Sequence, residues 1–396
     1  MSHRLLIAGG GIGGLATALA AARAGWQVQV LEQAGVFSEV GAGVQLGPNA
    51  TRVLRSLDCL DAVAARACAP LRLVARDALR AQTLGTLPLG DAFAARYGAP
   101  YLTVHRADLQ AVLLQGLQGS RAGLEVDLQT ARRITAVQDQ GEGVQAQCEG
   151  GAAFGADALI GADGLWSAVR PALVADGPAR PSHHVAYRAL VPLDRLPARW
   201  QVPEVTAWLG PHLHAVTYPV RGGTLLNVAC FVEQPVEGPQ QGWDLPGTSE
   251  RLRAALGAVC DPLQAVVEAA PRWGLWVLHD RTPVAGAHEM ARGRIALLGD
   301  ASHPMRPYLA QGAAMALEDA LELGQCLGGV RDRVMDTETA LQRYALKRWQ
   351  RVARVQRRSW RNGQIFHATG PVRLARDLAM GQLGARLMDL PWLYAH

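Results

Sequence analysis

Three glycine-centred segments hold the residues best suited to chemistry: GGGIGG at 9–14, GADGLWSAVR at 161–170 and GDASHPMRPYLAQGAAMALEDA at 299–320. The first follows an apolar run at 5–8 and precedes a helical pattern at 15–24, so it predicts a strand-turn-helix junction. In such a junction Gly9 makes the tight turn, Gly11 lets a pyrophosphate approach the backbone, and Gly14 lets the helix pack close on the strand, with Gly13 between them. The exposed amides and the positive end of the helix dipole then receive the phosphates. A second apolar run at 28–31 ends in Glu32, followed by Gln33, where a carboxylate can accept hydrogen bonds from an adenosine ribose. By itself this pattern fits an NAD site as well as an FAD site.

The other two segments separate these readings. Together with HRADL at 105–109 they resemble the aromatic-ring hydroxylases, flavoprotein monooxygenases of the 4-hydroxybenzoate hydroxylase type. The resemblance runs from end to end of the chain and is nearest to the salicylate hydroxylase and 3-hydroxybenzoate 6-hydroxylase branch. Asp163, Gly164, Ser167 and Arg170 match the family's internal DG motif, which serves both FAD and the reducing nicotinamide. Gly299 and Asp300 match its GD motif, whose aspartate binds the ribityl chain of FAD. Gln311, Gly312 and Ala313 resemble the turn whose backbone reaches the flavin ring, and Arg106 resembles the arginine near the flavin phosphates and ribityl chain. The resemblance implies FAD as cofactor and NADH or NADPH as co-substrate. It also implies a cycle in which reduced FAD and O2 form a C4a-hydroperoxide whose distal oxygen attacks an electron-rich ring.

A phenol is more easily hydroxylated once it has lost its proton, which calls for a base. His214 and Tyr218, four apart in HAVTYP, match a His and Tyr that line the substrate pocket in that branch. A histidine, with an unperturbed pKa of about 6.5, takes a proton near neutrality. Periodicity alone reads the same two residues as an exposed strand histidine and a core aromatic; the resemblance makes them the expected catalytic pair. His212 shares a strand face with His214, but no carboxylate or cysteine pattern completes a metal site, and no metal is expected. His303, inside the GD segment, reads as a support for its loop. Two arginines can hold a substrate carboxylate by paired hydrogen bonds, Arg188 in AYRALVP and Arg306 in HPMRPY, with a surface ion pair as the ordinary alternative for either.

Gln45, in GAGVQLGPN, stands where the similar hydroxynicotinate hydroxylases carry a histidine. An uncharged amide is no base near neutral pH, so Gln45 favours contact with a benzoate-type acid over a pyridine acid. The expected activity is hydroxylation of a small phenolic aromatic acid, salicylate, 3-hydroxybenzoate or a close analogue, with NAD(P)H and O2. The alternatives are a hydroxynicotinate-type pyridine hydroxylase, a flavin-dependent reductase or dehydrogenase on the same fold, and a non-enzymatic flavin-binding redox regulator.

These residues must be positioned by two interleaved domains, since 396 residues exceed one ordinary hydrophobic core. The fold class expected is α/β (α+β overall), with a Rossmann-like FAD-binding domain at 1–73, 98–178 and 276–330. An antiparallel-sheet substrate domain is expected at 74–97 and 179–275, the first piece polar and strand-like, and a helical region at 331–396. The hydrophobic fraction of 49% fits a packed enzyme. The net charge is +5, and Lys347 is the sole lysine, so the basic balance reflects arginine usage rather than a nucleic-acid partner. Within 343–361, Lys347, Arg351, Arg354, Arg358 and Arg361 fall on one helical face, expected to meet solvent or a second subunit of a homodimer, with Val352 and Val355 on another. Six scattered cysteines form no CxxC pair and read as small buried thiols. A first strand starting at residue 5 leaves no room for a signal peptide, and no apolar run approaches a membrane span of roughly 18–20 residues, so a cytoplasmic location without membrane attachment is expected.

Overall fold

The run RLLIA buries four of its five residues and becomes the strand Arg4–Ala8, near the centre of a six-stranded sheet. The computed structural model describes residues 3–37, 42–118, 125–235 and 245–395. Arg4–Ala8 pairs in parallel with Gln27–Leu31 on one side and Ala158–Gly161 on the other, and Val126–Gln129 and Ile295–Leu297 extend the parallel ladder. Strands covered on both faces need near-continuous apolar runs, and RLLIA, ALIG and IAL have them, while QVQVL and VDLQ toward one edge alternate apolar with polar residues. One face carries the Ala-rich helices Ile12–Arg23 and Gly312–Arg331, which approach closely enough that a Cβ at Gly324 would lie 2.7 Å from that of Ala20. The other face packs against a three-stranded antiparallel sheet of Ile134–Asp139, Val144–Cys148 and Ala153–Ala156.

A second sheet of eight strands runs in the spatial order 245–247, 273–280, 180–192, 225–233, 213–220, 204–210, 72–77, 83–88. Its neighbours pair antiparallel with one exception: Glu204–Gly210 lies parallel to Arg72–Asp77, which reaches the sheet from far earlier in the chain. Three details differ from expectation. Trp273–Asp280 carries the sheet past residue 276, and Asp91–Tyr97 forms a helix inside the polar segment expected to be strand-like. The helices Ser249–Leu256 and Asp261–Ala269 interrupt the stretch expected to be all sheet. They bury Leu252, Leu256, Leu263, Val266 and Val267 against Val185, Tyr187 and Cys230, so they cover one face of the sheet and leave the other to the rest of the chain.

The chain ends in the helices Thr337–Phe366, Gly370–Met388 and Pro391–Tyr394. The basic stretch within the first of these is not a solvated face throughout. Arg348 and Arg351 reach Glu318 at 2.7 and 2.6 Å, Arg348 also reaches Asp319 at 2.7 Å, and Arg354 lies over the Trp392 ring at 4.1 Å. Glu318 and Asp319 are buried on Gly312–Arg331, and an unpaired buried charge is costly, so these ion pairs fix the long helix against Gly312–Arg331. Val352 and Val355 are fully buried, as their periodicity predicts. Among the described residues no helix is long and apolar enough to cross a membrane. All six cysteines are free; Cys68 is half-buried, the other five are buried, and burial pushes every one of the six thiols above its ordinary pKa.

Candidate active site

The first glycine turn is forced by space as well as by φ. Gly9 has φ +101°, a Cβ there would lie 2.5 Å from the carbonyl oxygen of Ala162, and a Cβ at Gly14 would lie 1.9 Å from the oxygen of Gly9. Glu32 holds the turn from the next strand, accepting hydrogen bonds from the amides of Gly10 (2.7 Å) and Ala34 (2.8 Å), one on each carboxylate oxygen. Gln33 is exposed and does not line the cavity. Gly11 and Gly13 line a cavity that runs along the helix start toward the uncovered face of the eight-stranded sheet.

The DG segment supports this cavity from behind. Asp163 Oδ2 accepts from the amides of Ala168 (2.7 Å) and Val169 (3.2 Å), and burial pushes its pKa up. Its neighbours Ala162 and Gly164 line the cavity and Asp163 does not, so the aspartate shapes the loop and the loop backbone faces the cavity. Arg170 donates to the carbonyls of Ala301 (2.9 Å) and Ser302 (2.6 Å), locking the DG loop onto the GD segment. There His303 Nε2 lies 2.5 Å from Asp319, a loop-supporting contact. Burial raises the Asp319 pKa, but His303 and Arg348 outweigh it and hold the carboxyl ionised, down to about 2.

Asp300, Arg106, Gly312 and Ala313 all border the cavity. Burial raises the Asp300 pKa, with Arg106 and His303 pulling the other way. A Cβ at Gly312 would meet nothing nearer than Asp300 Oδ1 at 4.0 Å, so the first amides of the twenty-residue helix Gly312–Arg331 stay open to a ligand. Glycines without side chains, two helix N-termini and one carboxylate beside an arginine suit a pyrophosphate, a polyhydroxyl chain and a flat ring. The residues present fit FAD.

The far wall of the cavity comes from sheet side chains. Val216 and Tyr218 project from Leu213–Val220; Asn227, Ala229 and Phe231 project from Leu225–Glu233; Arg188, Trp276 and Gln45 complete it. The Asn227 side chain accepts the Gly43 amide at 2.6 Å, and a Cβ at Gly43 would collide with the Tyr218 ring at 2.5 Å. Gln45 accepts the Tyr101 hydroxyl at 2.7 Å. Burial raises the Tyr218 pKa despite the opposing charge of Arg188, so its hydroxyl stays protonated and can donate. The Arg188 guanidinium sits 4.7 Å from the Trp276 ring centre.

Two expected residues lie elsewhere. Arg306 does not reach the cavity: its Nε lies 3.0 Å from both carboxylate oxygens of Asp280, a second nitrogen also pairs with Asp280, and Nη1 lies 3.3 Å from His184. Its neighbours Met305 and Pro307 line the cavity instead. His214 is not an exposed strand histidine but fully buried, on the same face as Val216 and Tyr218, with its ring stacked 4.5 Å from cavity-lining Phe231. It therefore stands one layer behind the cavity wall. His212 precedes that strand, is exposed, and bonds Glu233 at 2.7 Å. His184, Glu233 and His367 could offer ligand atoms within 4.8 Å of one another, but hydrogen bonds to Tyr308, Arg306, His214 and one another already occupy those atoms.

Sequence reasoning missed Asn227, Phe231, Trp276 and Met305 as cavity residues. The signal for two of them was present in the alternation 227, 229, 231, which puts one face of a strand toward the site.

The family described as FAD binding domain matches residues 3–359. A 3-hydroxybenzoate 6-hydroxylase from Polaromonas naphthalenivorans (strain CJ2) is 39% identical, covering 98% of this chain and 95% of that protein. A 3-amino-4-hydroxybenzoate 2-monooxygenase from Streptomyces platensis is 38% identical, covering 99% and 95%. Among solved structures, HpxO of Klebsiella pneumoniae in complex with FAD and uric acid superposes with a TM-score of 0.83 at 25% identity, covering 99% of this chain and 96% of that one.

Proposed function

We propose, from the premise that the chain belongs to the FAD-binding-domain family and is an FAD-dependent aromatic-ring monooxygenase, that its substrate is a small phenolic acid of the 3-hydroxybenzoate type. The observation that carries this reading is a cavity whose one wall suits FAD while the other offers a cation, a protonated tyrosine and aromatic rings. Bound FAD supplies the reducible ring that takes electrons from NAD(P)H and activates O2.

The chain's own residues bind, orient and deprotonate. Arg188 holds the substrate carboxylate, since Arg306 is committed to Asp280. Trp276 backs the Arg188 guanidinium and keeps it in place. Tyr218 donates to a polar substituent on the ring, and Gln45 sets the adjoining edge. His214 accepts the phenolic proton at Nε2, an atom that is buried and has no hydrogen-bond partner among the described residues. For a phenol to reach that atom a side chain must turn aside, and Phe231, which touches both the imidazole and the cavity, is the one to move.

A cytoplasmic location suits both a reduced nicotinamide co-substrate and six unpaired cysteines. A homodimer would cover the apolar side chains Leu374, Leu378, Leu383 and Leu387 that Gly370–Met388 exposes; light scattering on the purified protein decides it. The central test is a panel of hydroxybenzoates assayed with FAD-loaded protein for accelerated NADH oxidation and for hydroxylated product. Product in step with NADH supports the monooxygenase reading. NADH oxidation without O2 insertion points to a reductase, and no response to any phenolic acid points to a regulator.

A further inference from the structure

His214, behind the cavity wall, has one ring nitrogen, Nε2, buried without a hydrogen-bond partner among the described residues, and the other engaged in a row of side chains. His214 Nδ1 lies 2.7 Å from His367 Nε2, and His367 Nδ1 lies 2.9 Å from Glu233 Oε1. The three side chains come from Leu213–Val220, from Leu225–Glu233 and from the end of Thr337–Phe366, where His367 is the C-cap. Glu233 is 36% exposed and also receives His212, which is itself exposed, so the row runs from a fully buried atom to solvent.

We propose that Glu233, His367 and His214 form a relay that carries the phenolic proton from the buried cavity to the surface, an inference that rests on His214 being the base.

The tautomers follow from what each partner can do. The Glu233 carboxylate can only accept, so His367 donates through Nδ1, and a neutral His367 then presents Nε2 as an acceptor. His214 fills that acceptor with its Nδ1–H, which leaves the lone pair on its Nε2. Burial first, then the neighbouring histidines, holds His214 well below the usual histidine pKa; burial also lowers His367, although Glu233 opposes it. Both rings are therefore neutral near pH 7. Glu233 is pushed up by burial, but hydrogen bonds from His212 and His367 outweigh this and keep it ionised.

Other charged groups around the row do not break it. His184 stacks on His367 at 5.0 Å; its Nε2 faces Arg306, so its Nδ1 donates to the Tyr308 hydroxyl at 2.7 Å. The Arg306 charge is compensated by Asp280. The transfer balances with no added reactant. In one concerted shift the phenol O–H bond breaks as its proton binds His214 Nε2, the Nδ1 proton of His214 passes to His367 Nε2 and the Nδ1 proton of His367 passes to Glu233, so neither imidazole carries a charge. Glu233 then releases it to water. Histidines added only for packing would not need a half-exposed carboxylate at one end and an unpartnered nitrogen at the other.

The test uses the oxidised, FAD-loaded enzyme without O2, mixed rapidly with 3-hydroxybenzoate while phenolate absorbance and proton release to a pH indicator are followed. FAD content and melting temperature are measured for each variant. Glu233→Gln and His367→Gln should slow deprotonation by about tenfold or more, and acetate should restore the rate in Glu233→Ala. His214→Ala should abolish deprotonation. If Glu233→Gln and His367→Gln deprotonate at the wild-type rate while His214→Ala fails, the relay is wrong and the base stands. If all three match wild type, the base assignment falls with it. Slowing that acetate does not repair, accompanied by a lower melting temperature, would assign the row to packing and overturn the relay.

Discussion

The two walls of the cavity are built on opposite principles. The wall proposed to hold FAD is made of backbone: Gly11, Gly13, Gly164 and Gly312 present amides and empty space, with Asp300 and Arg106 as its main charged groups. The wall proposed to meet the substrate is made of side chains, Arg188, Tyr218, Asn227, Phe231 and Trp276, brought from separate strands of one sheet. A wall made of backbone recognises shape and is intolerant of any added atom. A wall made of side chains recognises chemistry and can be altered one group at a time without losing its form.

The contrast breaks most visibly at Gly14. A valine there would place Cβ 1.9 Å from the Gly9 oxygen, so Gly14→Val should lose FAD outright and purify colourless, as should Gly11→Val, whose side chain would fill the cavity. Asp300→Ala should weaken FAD by removal of an acceptor while the turn stays intact. A full yellow spectrum in all three would show that the backbone wall does not select the cofactor.

The substrate wall and the layer behind it should behave otherwise. His214→Ala should keep FAD and the rate of flavin reduction, yet slow ring hydroxylation by roughly 10²- to 10⁴-fold, with peroxide released in place of product. Partial recovery at high pH, where solvent deprotonates the phenol, is part of the expectation. A fully coupled variant with an unchanged pH profile would place His214 in the packing alone.

Arg188→Ala should weaken phenolic acids by about 10- to 150-fold, the loss of one charge-assisted contact of on the order of 1.5–3 kcal/mol, while uncharged phenols are little affected. Arg306→Ala should show the reverse pattern. It breaks a partly buried ion pair with Asp280, so the melting temperature falls and charged and neutral ligands lose affinity equally. Equal loss for both ligand types in Arg188→Ala would sink its role as anchor.

The smallest effect is a slope. Burial holds His184 near about 4 and also lowers His214 and His367, so in the folded protein they stay neutral where the unfolded chain, with histidines near 6.5, binds protons. Stability should therefore be full above pH 6.5 and decline as pH falls from there toward 4, by up to about 1.4 kcal/mol per pH unit for each group. Urea titrations at pH 7.5 and 5.5 measure it. A His184→Phe variant should show a shallower decline, and an unchanged slope would remove His184 from the account.

Legibility in the sequence divides along the same line. The backbone wall is local: GGGIGG, the DG segment and the GD segment each announce a turn within a few residues, and the strands and helices around them fall close to where periodicity predicts. The substrate wall is not local. Arg188 and Arg306 look alike as carboxylate anchors in the sequence, and only the position of Asp280, 26 residues away from Arg306, separates them. His367 shows no sign of belonging beside His214, because the pair is 153 residues apart and meets only when the long C-terminal helix docks. The one parallel pair in the eight-stranded sheet, 204–210 with 72–77, is likewise a product of chain return that no local pattern encodes.

An enzyme that sometimes reduces oxygen without capturing it must live with its own oxidant. Thiolates are the form of cysteine that peroxide attacks, and all six thiols here are pushed toward the unreactive protonated form by burial, Cys230 up to about 12 and Cys326 up to about 11. Met305 is the sulfur that sits in the cavity wall. Wear during poorly matched turnover should therefore begin there, as a methionine sulfoxide that a repair reductase can reverse, with the cysteines still reduced in the mass spectrum when the site itself has begun to fail.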